Sequence, residues 1–275
     1  MTPRAPVAER YTRLEMMFVA AAREMAGRGV IFVGMSYPLL AATLAKLHHD
    51  PGLHFCTEQG IIDWRPPDDL ERAPVQVSDP ILNIGAAFLG DSVDALGSLL
   101  MGGGTDLAIL PAAQVDRFGN GNTIAIGDYN RPVRWLGGIG GNMDAACLAK
   151  AVMFLVPHER RRFMQRVDFI TSPGYIDGPG ARRRAGLDPQ GANLIVTTLG
   201  ILRFDTPDGG ITGSCEAFLD TIYPGVTVEE FQANTGWPVR ISPDLNVLEP
   251  PSQEEIDLLR RLDPTHVHLR ERGDV

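Results

Sequence analysis

Glu58 closes the apolar run Leu53-His54-Phe55-Cys56-Thr57 and is followed at once by Gln59-Gly60-Ile61-Ile62-Asp63. The run reads as a strand, and a carboxylate at its carboxyl end stands where open α/β sheets place their chemistry. Gly60 lacks a Cβ and would let another molecule's backbone or a thioester come close. Two readings of Glu58 follow: a solvated acid at a strand end, or a carboxylate nucleophile. Cys56 lies two residues upstream and on the same strand face, so a thiol role is conceivable beside that of a buried spectator.

Other stretches could serve such a nucleophile. Gly137-Gly138-Ile139-Gly140-Gly141-Asn142 would expose several backbone N–H groups, which can hold an oxyanion or flank a narrow ligand arm, or it is a flexible connector. Gln114-Val115-Asp116-Arg117-Phe118-Gly119-Asn120-Gly121-Asn122 is dense in turn formers and amides directly after a strand. It reads as a structural turn or, through Gln114 and Asn120, as part of a substrate pocket. Gly34 and Ser36, in the turn between a strand and a helix, are further pocket candidates, although the full phosphate-binding motifs are missing. The clusters Arg160, Arg161, Arg162, Arg166 and Arg182, Arg183, Arg184 fit phosphate contacts or solvated faces equally well. His48-His49 and the pair His266 and His268 have no Cys or carboxylate at ligand spacing, so no metal site is predicted.

The elements that must position these residues alternate along the chain. Thr12-Arg13-Leu14-Glu15 is a capping box that opens a helix, with Leu14, Met17, Phe18, Ala21, Ala22 and Met25 at helical spacing. Val30 to Val33 is a short buried strand, and Leu39 to His49 a second helix. Downstream, Asp91 to Met101 reads as a helix, Asp106 to Pro111 as a strand, Met143 to Lys150 as a helix, and Ala151 to Val156 and Val167 to Thr171 as strands. Asn193 to Thr198 and Ile201 to Phe204 flank Leu199-Gly200 as a late antiparallel hairpin, and two capped helices start at Thr227 and Ser252. The fold class expected is therefore α/β, Rossmann-like and doubly wound, with a mainly parallel sheet, flanking helices and that late hairpin. Arg65 to Pro80 reads as a long surface loop, and the charged tail from about His266 as frayed. One domain spanning 1–275 is expected.

The chain has 275 residues, 44% of them hydrophobic, and a formal net charge of -9. The charge argues against nucleic acid or an anionic membrane as the main partner. Three widely spaced cysteines suit neither a disulfide framework nor a zinc site, and no segment reads as a signal peptide or a membrane span. A cytoplasmic protein is expected.

Several of these segments carry a resemblance. Glu58-Gln59-Gly60 is similar to the Glu-Ser-Gly of the β subunits of class I CoA-transferases of the glutaconate and 3-oxoadipate type. Those subunits also show Gln-x-Asp-x-x-Gly-Asn-x-Asn followed by Ile-Gly-Asp-Tyr, which here are Gln114 to Asn122 and Ile126-Gly127-Asp128-Tyr129. The resemblance continues through His158 to Met164, Val167 to Gly174, Ile176 to Gly180, Gly200 to Asp205 and Asn234-Thr235-Gly236. It spans nearly the whole chain in the family's order.

The resemblance implies a CoA-transferase-like fold and Glu58 as the nucleophile, passing through an acyl-glutamyl anhydride and a glutamyl-CoA thioester. The family has a comparable thioester-lining loop, which would map to Gly137, Gly138, Gly140, Gly141 and Asn142 in a shifted register. It further implies a separate α subunit without which the chain is inactive. Coenzyme A would be a substrate and covalent intermediate rather than a permanently bound cofactor, exchanged with a short dicarboxylic or 3-oxo acid. CoA-ester hydrolases or decarboxylases of the same fold, in which the glutamate is missing or replaced, are one alternative. A non-catalytic structural or regulatory subunit is another.

Overall fold

A computed structural model describes residues 6–188, 190–206 and 213–270. Ten strands form its main sheet: β1 Val30–Val33, β2 His54–Cys56, β3 Ile61–Ile62, β4 Phe88–Leu89, β5 Leu107–Pro111, β6 Val152–Leu155, β7 Ala192–Val196, β8 Gly200–Phe204, β9 Ala217–Ile222 and β10 Arg240–Val247. Their spatial order is β10-β9-β8-β7-β6-β5-β1-β2-β3-β4. The central five, β2-β1-β5-β6-β7, run parallel. The runs of β1, β5 and β6 are continuously apolar because helices and loops cover both faces, so no alternation with polar residues is needed.

The expected α/β sheet is present, and so is the late hairpin, with Leu194 opposite Arg203 and Val196 opposite Ile201. The antiparallel extension β3–β4 beyond β2 was not legible, because each of those strands is two residues long. The strand expected over Val167 to Thr171 is absent. Asp168 there accepts from Gln114 Nε2 at 2.8 Å and from the Gly127 amide at 2.9 Å, and Thr171 bonds the Gly121 carbonyl. Such side-chain bonds compete with ladder formation. Phe163–Met164 pairs instead with Val115–Asp116, in a small sheet completed by Gly121–Asn122.

The helices are α1 Arg13–Met25, α2 Tyr37–Leu44, α3 Asn142–Leu148, α4 Ala181–Arg184, α5 Val228–Ala233 and α6 Gln253–Leu262. The Thr12 capping box forms both of its bonds, and the apolar face of α1 is fully buried. The helix expected to run to His49 widens after Leu44 into a turn closed by Asp50 N to Ala45 O. Val93–Leu100 is wound in the same wide fashion, with Met101 N bonded to Leu96 O. Of the carboxyl-terminal segment expected to fray from about His266, residues 271–275 lie outside the described residues, while 266–270 are anchored: His268 is buried, its Nε2 bonds Pro74 O at 2.9 Å, and Leu269 is buried too. Asp263 explains the anchoring, because its carboxylate accepts the amides of Val267, His268 and Leu269.

The chain leaves β1 for β2 on one side and returns through β3, β4 and the Val93–Leu100 helix to β5 on the other side of β1. The winding direction therefore reverses at β1. In open α/β sheets the crevice outside the carboxyl ends of the strands at such a reversal is where ligands bind.

Candidate active site

A cavity of about 590 Å³ opens at this reversal. Gly34 and Met35 from the end of β1, Pro111, Ala112 and Ala113 from the end of β5, and Glu58 from the end of β2 line it. Leu136 to Gly140 and Asn142 form one wall, and Thr123, Val77 and Arg162 complete it.

Glu58 sits in the loop between β2 and β3, where Gly60 N bonds Thr57 O at 3.0 Å and Thr57 N bonds Ile61 O at 3.0 Å. Gly60 lies in the left-handed region at φ +82, as three-residue hairpin loops require. A Cβ on it would stand 2.5 Å from the Asp91 backbone. The close approach expected at Gly60 is thus to this chain's own Gly90–Asp91 and leaves no room there for a ligand.

Both oxygens of Glu58 are held. Gly141 N donates to Oε2 at 2.7 Å, and Gln59 Nε2 donates to Oε1 at 3.1 Å. Gly141 is the residue that precedes α3, so the loop's last turn delivers this donor. A Cβ on Gly140, at φ +51, would come 3.0 Å from Glu58 Oε2, and one on Gly141 the same distance. The double glycine is what admits the carboxylate. By contrast, a Cβ on Gly137 or Gly138 would meet nothing within 4 Å, and Gly138 N bonds Thr123 O at 3.0 Å. Among the described residues the amides of Ile139 and Gly140 have no acceptor.

Of the pocket candidates, Gly34 is at the cavity beside Glu58 and the other three are not. Ser36, at φ +66, lines a neighbouring cavity, with its Oγ 3.3 Å from His268 Nδ1. Gln114 is buried, donates to Asp168 and accepts from Asn122 Nδ2 at 2.7 Å. Asn120 is buried as well. Its Nδ2 donates to both oxygens of Asp116 and to Ile176 O at 2.8 Å, and its Oδ1 accepts the amides of Gly174 and Ile176. These amides form a fully bonded brace, and the segment reaches the cavity only through its neighbours Ala113 and Thr123.

Cys56 is fully buried, and burial followed by the charge of Asp63 pushes its thiol up to about 12. A thiol so placed is inert. The first arginine cluster divides: Arg160 donates to the carbonyls of Ala233 and Thr235, Arg161 pairs with Glu159, Arg166 pairs with Asp177, and only Arg162 reaches the cavity. Arg182, from the second cluster, is buried against the carbonyls of Asp188, Pro173, Gly174 and Ala146. His48 and His49 do have a carboxylate neighbour, since ligand atoms of His48, His49 and Glu255 lie within 4.8 Å of one another. Sequence spacing could not show it, because α6 is brought back by the fold. Both Glu255 oxygens are already engaged by Arg23, at 2.9 and 2.7 Å.

Sequence reasoning missed Val77, Thr123, Leu136 and the cavity-facing role of Arg162. Val77 comes from the irregular Arg65–Pro80 loop, which carries no pattern that would mark it.

Residues 14–234 match the family profile of Coenzyme A transferase. The chain belongs to the coenzyme A transferase family. Within it, the chain is 37% identical over 257 residues to the B subunit of 3-oxoadipate CoA-transferase from Pseudomonas knackmussii, covering 92% of this chain and 94% of that one. It is 34% identical over 266 residues to the B subunit of glutaconate CoA-transferase from Acidaminococcus fermentans, covering 94% and 96%. The crystal structure of glutaconate coenzyme A-transferase from Acidaminococcus fermentans superposes with a TM-score of 0.84 at 32% identity, over 95% of this chain and 98% of that chain. As a CoA-transferase the protein is an enzyme whose substrate is coenzyme A, and its counterparts are the B subunits of heteromeric enzymes. Among the described residues no helix is long and apolar enough to cross a membrane.

Proposed function

We propose that this chain is the B subunit of a CoA-transferase that moves CoA from an acyl-CoA to a short carboxylic acid, with Glu58 as the covalent relay. The observation that carries this reading is the Glu58 carboxylate, held at both oxygens on the wall of a cavity at the sheet's reversal point.

In the first step Oε1 of Glu58 attacks the thioester carbonyl carbon, the C–S bond breaks, and CoA leaves as thiolate with an acyl-glutamyl anhydride behind it. The thiolate then attacks Cδ of Glu58 and expels the first acid as its carboxylate, which gives a glutamyl-CoA thioester. The acceptor carboxylate repeats both steps in reverse, restores Glu58 and departs as the new acyl-CoA. No net proton moves.

The two oxygens divide the work. Oε2 stays against the Gly141 amide throughout, so this N–H takes up the charge when Cδ becomes tetrahedral. Oε1, held by the more mobile Gln59 side chain, is the oxygen that bonds and leaves. The free amides of Ile139 and Gly140, on the same cavity wall, are donors available for the oxyanion on the acyl carbon. A carboxylate suits this relay because it forms both an anhydride and a thioester of usable reactivity, whereas a serine ester would trap the acyl group.

A separate A subunit supplies the remainder of the site, as the names of both relatives suggest. The edge strand β4 supports this, since Phe88 and Leu89 are about half exposed on an unpaired edge two strands from Glu58. The names also suggest that the acid is 3-oxoadipate, glutaconate or a relative of these.

The test is to purify the chain together with its A subunit, incubate the complex with acyl-CoA, and treat it with hydroxylamine or borohydride. Mass spectrometry should find the adduct on Glu58, and Glu58→Ala should lose exchange while keeping the complex assembled. An adduct on any other residue, or exchange that persists in Glu58→Ala, would sink the reading.

A further inference from the structure

Among the described residues, the cavity that holds Glu58 has only one other charged side chain on its wall, Arg162. The backbone of Arg162 is pinned, its N–H to Glu159 O at 2.7 Å and its carbonyl to Val115 N at 2.7 Å. The side chain is 16% exposed. Its Nε donates to Glu159 Oε1 at 3.3 Å, a carboxylate that Arg161 shares, while the terminal guanidinium nitrogens have no acceptor among the described residues. A guanidinium withdrawn from water with most of its donors unused gains from an anion that arrives with the ligand.

The identity of that anion follows from where the reaction must occur. The thioester carbonyl has to sit at Glu58, inside the same cavity as Arg162. The phosphates of coenzyme A are separated from its sulfur by the whole pantetheine arm and so lie outside. An anionic group that shares this cavity with the thioester carbonyl therefore belongs to the acyl portion. Apart from Thr123 and Asn142, the rest of the wall is apolar side chains and glycine backbone, suited to a short carbon chain between the two charged ends.

Resting on the Glu58 reading above, we propose that Arg162 is the specificity determinant of this enzyme: it binds the distal carboxylate of a dicarboxylic acyl group or acceptor while the proximal carboxyl carbon reacts at Glu58. A planar guanidinium and a carboxylate can form two parallel hydrogen bonds, which fixes direction as well as affinity. A monocarboxylic acid of the same length would leave that charge unpaired and be rejected for it.

The experiment uses the complex with the A subunit and compares kcat/KM for pairs of acceptors matched in chain length, a dicarboxylic acid against its monocarboxylic analogue. The unsubstituted complex should favour the dicarboxylic member. Arg162→Met should lose roughly 10- to 100-fold on dicarboxylic acids, the range for a charge-assisted hydrogen-bonded pair, and change far less on monocarboxylic ones. Arg162→Lys, which keeps the charge and loses the fork, should recover part of the discrimination and serves if the Met variant does not fold. A second arm replaces acyl-CoA by the acyl-pantetheine thioester. If Arg162 held a CoA phosphate, Arg162→Met would slow CoA thioesters and leave pantetheine thioesters unaffected, and the proposal would be wrong. It would be equally wrong if both acid classes fell together or if the unsubstituted complex preferred monocarboxylic acids. Failure of the Glu58 reading is separately visible, as absence of any adduct on Glu58 in the unsubstituted complex.

Discussion

Residues 114–122 and 137–142 are both rich in glycine and in polar backbone, yet they meet opposite ends. In the first, Asn120 satisfies every donor and acceptor of its amide inside the protein, and Gln114 is tied to Asp168 and Asn122. In the second, the amides of Ile139 and Gly140 are left over among the described residues, and Gly141 spends its amide on Glu58. The first supports the second: Asn122 is followed by Thr123 and Ile124, whose carbonyls hold the amides of Gly138 and Leu136. Wealth of hydrogen-bonding groups does not distinguish a site from a brace. What distinguishes them is whether the groups are consumed internally.

The largest contrast should come from truncating one member of each region. Glu58→Ala is expected to abolish exchange with little change in stability, since Glu58 is only half-buried at the wall of an open cavity. Asn120→Ala should do the reverse. It leaves the Ile176 carbonyl and the amides of Gly174 and Ile176 without a partner in the interior and takes one donor from Asp116, which keeps the amides of Phe118, residue 120 and Val167, at a cost of about 3 kcal/mol or more. Denaturant unfolding and turnover per folded molecule, measured on both variants, check the pair. A stable Asn120→Ala protein with a kinetic defect as severe as that of Glu58→Ala would mean that the brace belongs to the site.

Much of the sheet was legible because buried parallel strands are written as unbroken apolar runs, as in Leu107 to Leu110 and Val152 to Val156. The reversal at β1 was not, since two-residue strands such as Ile61–Ile62 leave no period to read. Glu58 and the glycine loop could be named as candidates from the residues and the family likeness together, and the fold brings them into contact. Which of the polar motif residues would be internally satisfied could not be read, because Asn120 finds Ile176, and Gln114 finds Asp168, only after the chain has folded back. Arg162 shows the same limit in reverse, as one of four arginines with nothing in the local sequence to single it out.

His158, at the head of the motif that contains Arg162, extends the contrast to pH. Its ring is buried between Thr197 Oγ1 at 3.1 Å and Thr235 Oγ1 at 2.9 Å and stacks on Phe163 with centroids 3.9 Å apart. Burial lowers its pKa from 6.5 to about 3. The unfolded chain thus binds the proton more readily. Stability from this residue is complete above about pH 6.5 and is lost as pH falls toward 3, at up to roughly 1.4 kcal/mol per unit. Urea unfolding between pH 6.5 and about 5, above the range of ordinary carboxylates, should show that slope, and His158→Gln should flatten it. An unchanged slope in the variant would mean that other groups carry the dependence.

The smallest and sharpest break lies inside the glycine loop. Gly140→Ala forces a side chain into the left-handed region at φ +51 and sets its Cβ 3.0 Å from Glu58 Oε2. The backbone strain should cost about 1 kcal/mol. The crowding must push the carboxylate or the Gly141 amide aside, and kcat should fall on the order of 10-fold or more, because small misplacements of a reacting group are expensive. Gly137→Ala introduces no contact within 4 Å and is outside the left-handed set, so its stability should stay within about 0.5 kcal/mol and its kcat near that of the parent. Stopped-flow formation of the glutamyl-CoA adduct on both variants separates two accounts of the loop. If the two alanines slow the adduct equally, the loop acts through its flexibility and the Glu58 contact is incidental. If only Gly140→Ala does, the loop acts as a fixed mould around Glu58, and its glycines divide into those that touch this carboxylate and those that merely lead to it.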